Sequence, residues 1–158
     1  MNTETLAALM VAQALKLATV ESCTGGGIAA RCTDLVGSSQ WFNGGLVTYS
    51  NAMKIRLGVD PQLIEQHGAV SEHVVRQMAE QGRRYCNADW SVAVTGVAGP
   101  NGGSPAKPVG TVWFAWSGGS SIVTERQQFS GDRALVRAQT VNHAIDRLIA
   151  LLSAQTAS

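Results

Sequence analysis

Apolar residues at Leu6, Leu9, Met10, Ala14 and Leu17 recur at helical spacing, and Thr3 stands where a side-chain oxygen can cap the first turn. A short strand is predicted over Leu17–Glu21. Gly25, Gly26 and Gly27 then break the pattern before Ile28–Thr33, which reads as a strand, a tight glycine turn and the opening of a helix. Ser22–Gly26 would then lie at the carboxyl edge of that strand. Gly44–Ser50 reads as a second strand, Asn51–Leu57 as a short helix capped by Ser50 or Asn51, and Pro61–His67 as a further helical turn. Ser71 precedes a long amphipathic helix to about Asn87, with Val74, Val75, Met78 and Tyr85 on its apolar face. Trp90–Thr95 is a continuous apolar run, typical of a strand covered on both sides.

The next stretch, Gly96–Pro108, holds four glycines and three prolines in 13 residues and predicts an ordered loop without regular structure. So long a loop in so small a chain favours function over mere connection. Val109–Trp116 and Ser121–Phe129 flank Gly118-Gly119 and predict an antiparallel hairpin. Gly131-Asp132 leads into a terminal helix over Ala134–Leu152, followed by a polar tail. Helices alternating with strands, plus one hairpin, imply an α/β fold: a three-layer α/β/α arrangement with a mixed sheet of about five strands.

Composition narrows the picture. A length of 158 residues with 45% apolar content suits a single domain over residues 1–158. Twelve basic residues nearly balance 11 acidic ones without a block of like charge, so neither nucleic acid nor a membrane surface is an expected partner. Met1–Lys16 lacks a basic start followed by a long apolar stretch, and no run reaches the ~18 apolar residues of a spanning helix. Three cysteines without a C-x-x-C spacing argue against a disulfide framework or a zinc site. A cytoplasmic protein without a metal is expected.

Three segments could carry chemistry. Glu21-Ser22-Cys23-Thr24-Gly25-Gly26-Gly27 places a serine at a strand's carboxyl end, beside the unpaired N–H groups of a helix start. Ser22 is there a candidate nucleophile, or Ser22 or Thr24 simply caps the helix. The segment is not a phosphate loop, because neither G-x-x-x-x-G-K-[ST] nor a complete G-x-G-x-x-G is present. In Tyr49-Ser50-Asn51-Ala52-Met53-Lys54, the lysine lies near the positive end of a short helix. A general base near neutrality needs a pKa of about 7–8 rather than ~10.4, which requires roughly 4 kcal/mol of environment. Burial and the helix end together would supply it, whereas a solvated lysine would stay a cation. Third, Thr95-Gly96-Val97-Ala98-Gly99-Pro100 could turn backbone N–H groups toward an anion.

His67, His73 and His143 have no metal-ligand spacing and adjoin no candidate nucleophile. Cys23 is a rival nucleophile or a structural thiol.

Taken in order, Glu21-Ser22-Cys23-Thr24-Gly25-Gly26, Tyr49-Ser50-Asn51 with Lys54, Gly68-Ala69-Val70-Ser71, Thr95-Gly96-Val97-Ala98-Gly99-Pro100 and Lys107-Pro108-Val109-Gly110-Thr111 closely resemble the CinA C-terminal-domain family. That family contains the bacterial nicotinamide-nucleotide amidases. The resemblance covers nearly the whole chain. It implies a metal-independent Ser/Lys hydrolase, without a cofactor, that converts nicotinamide mononucleotide to nicotinic acid mononucleotide and ammonia, and it implies assembly into homo-oligomers. It makes Ser22 the nucleophile, Lys54 the base and Tyr49 an assistant. The small-molecule nucleotide would then meet an oxyanion hole of backbone N–H groups around Thr24, Gly25 and Gly26, and the loop of Thr95, Gly96, Ala98 and Gly99. Arg133 and Arg137, at i and i+4, would clamp the phosphate or form ion pairs with Asp132 or Glu125. Two other readings stand beside it: a non-catalytic nucleotide- or partner-binding domain, and an amidase for another small carboxamide.

Overall fold

The computed structural model of the protein describes residues 2–156. Its elements in chain order are α1 (Asn2–Ala12), β1 (Leu17–Glu21), α2 (Gly27–Thr33), β2 (Phe42–Val47), α3 (Asn51–Leu57), α4 (Pro61–His67), α5 (Glu72–Tyr85), β3 (Trp90–Gly96), β4 (Thr111–Gly118), β5 (Ser121–Gln128) and α6 (Arg133–Thr156). The strands form one mixed sheet in the order β2-β1-β3-β4-β5. β1 lies between β2 and β3 and runs parallel to both, whereas β3/β4 and β4/β5 are antiparallel.

Alternation along the strands sends neighbouring residues to opposite faces of the sheet. Val92 and Val94 of β3 and Phe114 and Trp116 of β4 join Leu6, Met10, Ile28, Ile145 and Leu148 in a core shared with α1, α2 and α6. Val20, Ala93 and Ala115 face the other way and pack against Val74, Val75 and Met78 of α5, with α3 and α4 alongside. The expected three layers and five strands are thus present. The unbroken burial of Trp90–Thr95 follows from helices on both faces of a central strand.

Several expected boundaries move. Thr3 is buried within the first turn of α1 rather than capping it, and α1 ends at Ala12. Ala14 takes a left-handed φ of 54°, which turns the chain so that Leu17 opens β1 instead of closing the helix. β2 starts earlier than expected, at Phe42, and ends at Val47, because Ser50 leaves the sheet to cap α3. A single 3₁₀ turn at Ser38–Gln40 had no periodic signal. Ser71, immediately before α5, caps it by accepting from Val74 N–H, but Tyr85 is 75% exposed and contributes nothing to the core. The polar tail expected after Leu152 is helical to Thr156, and its last two residues lie outside the described residues. Among the described residues, no helix is long and apolar enough to cross a membrane.

The hairpin closes through Gly119-Ser120, with Gly118 paired to Ser121. A Cβ at Gly118 would stand 2.0 Å from the Trp90 ring, so only glycine fits there. Gly118→Ala is therefore expected to lower stability by about 1–3 kcal/mol through overpacking. Urea unfolding should show this as a lower midpoint with an unchanged slope, and an unshifted midpoint would contradict the contact.

Candidate active site

Because β1, β2 and β3 run parallel, their carboxyl ends open on one edge of the sheet, the usual place for a ligand in such folds. Ser22 follows β1 directly, and its N–H donates to Val94 O at 3.1 Å. Thr48 follows β2, with its N–H on Glu21 O at 2.9 Å. These bonds carry the ladder one step past the strands and hold Ser22 between Thr48-Tyr49 and the end of β3. Ser50, not Asn51, caps α3 by accepting from Met53 N–H at 3.1 Å. One helical turn later Lys54 points inward and is 1% exposed.

Lys54 Nζ lies 2.9 Å from Ser22 Oγ, 2.8 Å from Thr48 O and 2.9 Å from Tyr49 O. A neutral amine has two N–H donors and one lone pair. Two carbonyls take the donors, and the lone pair is left for the Ser22 hydroxyl. The ammonium would find the same three acceptors, so hydrogen bonding serves both states and burial decides between them. Burial lowers the Lys54 pKa from its ordinary 10.5 to about 8.

The thiol of Cys23 behaves oppositely. Burial first, and the Glu21 carboxylate after it, push its pKa up to about 11, against the pull of a backbone hydrogen bond, Lys54 and Arg137. At neutral pH it stays protonated, which removes it as a competing nucleophile.

Glu21 had no role in the sequence reading, yet it organises the nucleophile's turn. Its Oε1 accepts from Thr24 Oγ1 at 2.6 Å and Ile28 N–H at 2.8 Å, and its Oε2 from Ala29 N–H at 3.0 Å. Gly26, the N-cap of α2, has φ 102° and no side chain to cap with, so Glu21 caps the helix from outside it. The start of α2 is thus filled by the protein's own carboxylate. Gly25 N–H is engaged with Ser22 O at 3.1 Å. Since the peptide is trans and planar, the Cys23 N–H points the other way, out of the turn.

Ser22, Tyr49, Lys54, Thr95, Gly96, Ala98 and Arg133 line one cavity of about 240 Å³, together with Cys23, the rival nucleophile, Asn51, and Ala69 and Val70, to which sequence reasoning gave no role. The Gly68-Ala69-Val70 segment had been visible only as a motif. Thr24, Gly25, Gly26, Gly99 and Arg137 stand outside the cavity wall. The two arginines separate cleanly. Arg133 Nη1 donates to Gly99 O at 2.9 Å and Nη2 lies 3.4 Å from Tyr49 Oη, so this guanidinium faces the cavity. Arg137 instead donates from Nε to Cys23 O at 3.1 Å and from Nη2 to Thr24 O at 3.0 Å. Neither pairs with Glu125, which binds His143 and Arg147, or with Asp132, whose carboxylate accepts from Leu135 N–H.

Tyr49 meets the lysine through its backbone carbonyl. Tyr49 is 58% exposed, and its hydroxyl lies by the Arg133 guanidinium, whereas its contact with Lys54 is made by the backbone. None of the three histidines lines the cavity. His67 and His73 stack on each other at 3.8 Å, and His143 packs on Phe114. Among the described residues, no cluster of three or more His, Cys, Asp or Glu could hold a metal ion.

A family model described as the CinA C-terminal domain matches residues 2–152. A Pseudomonas putida protein named nicotinamide-nucleotide amidohydrolase PncC is 57% identical over 137 residues, 86% of each chain. A protein of the same name from Escherichia coli K12 is 49% identical over 145 residues, 87% of this chain and 88% of its own. Among solved structures, competence damage-inducible protein A from Klebsiella pneumoniae superposes with a TM-score of 0.94 at 37% identity, covering 96% of this chain and 95% of that one.

Proposed function

The chain belongs to the CinA C-terminal-domain family, and from that membership we propose that it is an amidohydrolase that converts nicotinamide mononucleotide to nicotinic acid mononucleotide and ammonia, in pyridine nucleotide salvage. The names of its relatives support the substrate. The observation that carries the chemistry is the buried Lys54 Nζ, 2.9 Å from Ser22 Oγ at the cavity wall and carrying a pKa of about 8. Balanced charge and three free cysteines support a single cytoplasmic domain.

In this reading Ser22 Oγ attacks the carboxamide carbon while Lys54 takes its proton. The oxygen of the tetrahedral intermediate is held by the Cys23 N–H. Lys54 ammonium then protonates the departing nitrogen, the C–N bond breaks, and ammonia leaves an acyl ester on Ser22. Water adds to the ester, Lys54 accepts its proton and returns it to Ser22 Oγ, and the carboxylate product is released. Two carbonyl acceptors hold the lysine in place through both protonation states.

The direct test is ammonia release from nicotinamide mononucleotide by purified protein, compared with nicotinamide, glutamine and the riboside. Turnover of the nucleotide far above the others is expected. Saturable binding without ammonia would favour a sensor, and equal rates on nucleotide and riboside would favour a generic amidase. The arginines refine this test. Arg133 faces the cavity and is the proposed phosphate clamp, each charge-assisted bond contributing roughly 1.5–3 kcal/mol. Arg133→Ala should lower kcat/KM for the nucleotide by about 10–150-fold and barely affect the riboside. Arg137→Ala should slow both substrates alike, because it loosens the Ser22 turn. The opposite pattern would exchange the two roles.

A further inference from the structure

We infer that Glu21 is a positioning residue for the nucleophile: its buried carboxylate ties Thr24 and the first turn of α2 together, so that Ser22 Oγ and the Cys23 N–H are presented to the substrate in one fixed geometry. Glu21 is 1% exposed, immediately precedes Ser22, and accepts three hydrogen bonds from residues three, seven and eight positions ahead. Its side chain lies outside the cavity and does not touch the reacting atoms. The backbone on either side of it is also fixed, with Glu21 O accepting from Thr48 N–H and Ser22 N–H bound to Val94 O. A chain that must turn sharply through Gly25 and Gly26, both at positive φ, has little stiffness of its own there. The carboxylate supplies it from the inner side of the turn, opposite the Arg137 guanidinium that holds the Cys23 and Thr24 carbonyls.

Hydrogen-bond polarity makes the role testable with a small change. In Glu21→Gln one oxygen remains for Thr24 Oγ1 and Ile28 N–H, but the amide NH₂ replaces the acceptor of Ala29 N–H and sets donor against donor. Thr24→Val removes the hydroxyl at constant shape. Positioning of this kind affects the transition state more than ground-state binding, and misplacement of about 1 Å can cost ~100-fold. The inference rests on the Ser/Lys reading, so the experiment has two arms. With nicotinamide mononucleotide, Glu21→Gln should lower kcat by about 10–100-fold with KM within about twofold, and Thr24→Val should lower kcat in the same direction. The second arm follows the rate at which an alkyl fluorophosphonate labels Ser22, which needs no knowledge of the natural substrate, and both variants should label about tenfold more slowly or worse.

A wild type that labels at Ser22 but releases no ammonia defeats the substrate assignment and leaves the Glu21 test standing on the label. If Glu21→Gln does not fold, Thr24→Val decides. Wild-type labelling in the folded variants, or a change in KM alone, overturns the inference.

Discussion

Ser22→Ala should abolish ammonia release while the protein still binds the nucleotide. Triad-type nucleophiles lower kcat by up to about a million-fold when removed, so the residue should fall to the background of the assay. Alanine keeps the Ser22 N–H on Val94 O and the Ser22 carbonyl on Gly25 N–H, because both bonds are made by backbone. The cavity and Arg133 are untouched. A dissociation constant within about threefold of wild type, measured by calorimetry, would show the site intact, since threefold is well under 1 kcal/mol. Cys23→Ala is the necessary contrast. Its thiol is held protonated by burial, so the variant should keep most of its turnover. A dead Cys23 variant beside an active Ser22 variant would reassign the nucleophile.

Lys54→Met keeps the aliphatic stem and removes the base, and a fall in kcat of about 100–10,000-fold is expected. Two pH measurements give the substitution its force. In the wild type, activity should rise as pH passes through about 8, where the lysine loses its proton, and the residual rate of the variant should lack that step. Stability carries the same signature with a defined sign. The folded chain holds the Lys54 proton less tightly than the unfolded chain, so ionising Lys54 opposes folding. That penalty is complete below pH 8, shrinks between pH 8 and 10.5, and is gone above. Relative to Lys54→Met, the wild type should therefore gain up to about 3 kcal/mol across that window. The raised pKa of Cys32 acts in both proteins and cancels, whereas Cys23 interacts electrostatically with Lys54, so both proteins are best compared in a Cys23→Ala background. A wild-type rate that is flat from pH 6.5 to 9 would remove Lys54 as the base.

What the amino-acid pattern made legible, and what it did not, follows from how far each determinant lies along the chain. Trp90–Thr95 was readable because burial on both faces erases alternation, and that signature is local. The short helix over Asn51–Leu57 was readable for the same reason, although local pattern left its cap open between Ser50 and Asn51. Tyr85 was misplaced because helical spacing cannot tell the last buried turn from the exposed one beside the C-cap at Cys86. Lys54 could be only a candidate, since its burial is completed by Ser22, 32 residues away, although its carbonyl partners Thr48 and Tyr49 are close in sequence. Arg133 and Arg137 are equivalent on a helical wheel, one turn apart. What divides them is the loop that happens to meet each turn of α6: Gly99 for the first, Cys23 and Thr24 for the second. Glu21 left no trace because a glutamate closing a strand ordinarily faces water. Here the turn folds back over it and delivers three donors that no spacing rule anticipates.

The hold of Arg137 on the Ser22 turn has a consequence for biosynthesis. Its contacts span 114 and 113 residues, about three quarters of the described chain, and they reach the earliest part of the sheet from its last helix. Chains emerge amino end first, at about 5–20 residues per second, so Ser22, Lys54 and their strands leave the ribosome several seconds before α6 can dock. During that interval the serine's turn lacks the guanidinium that holds the Cys23 and Thr24 carbonyls. The turn that carries Ser22 therefore gains its last two hydrogen bonds only when the final helix docks, after most of the chain has been made.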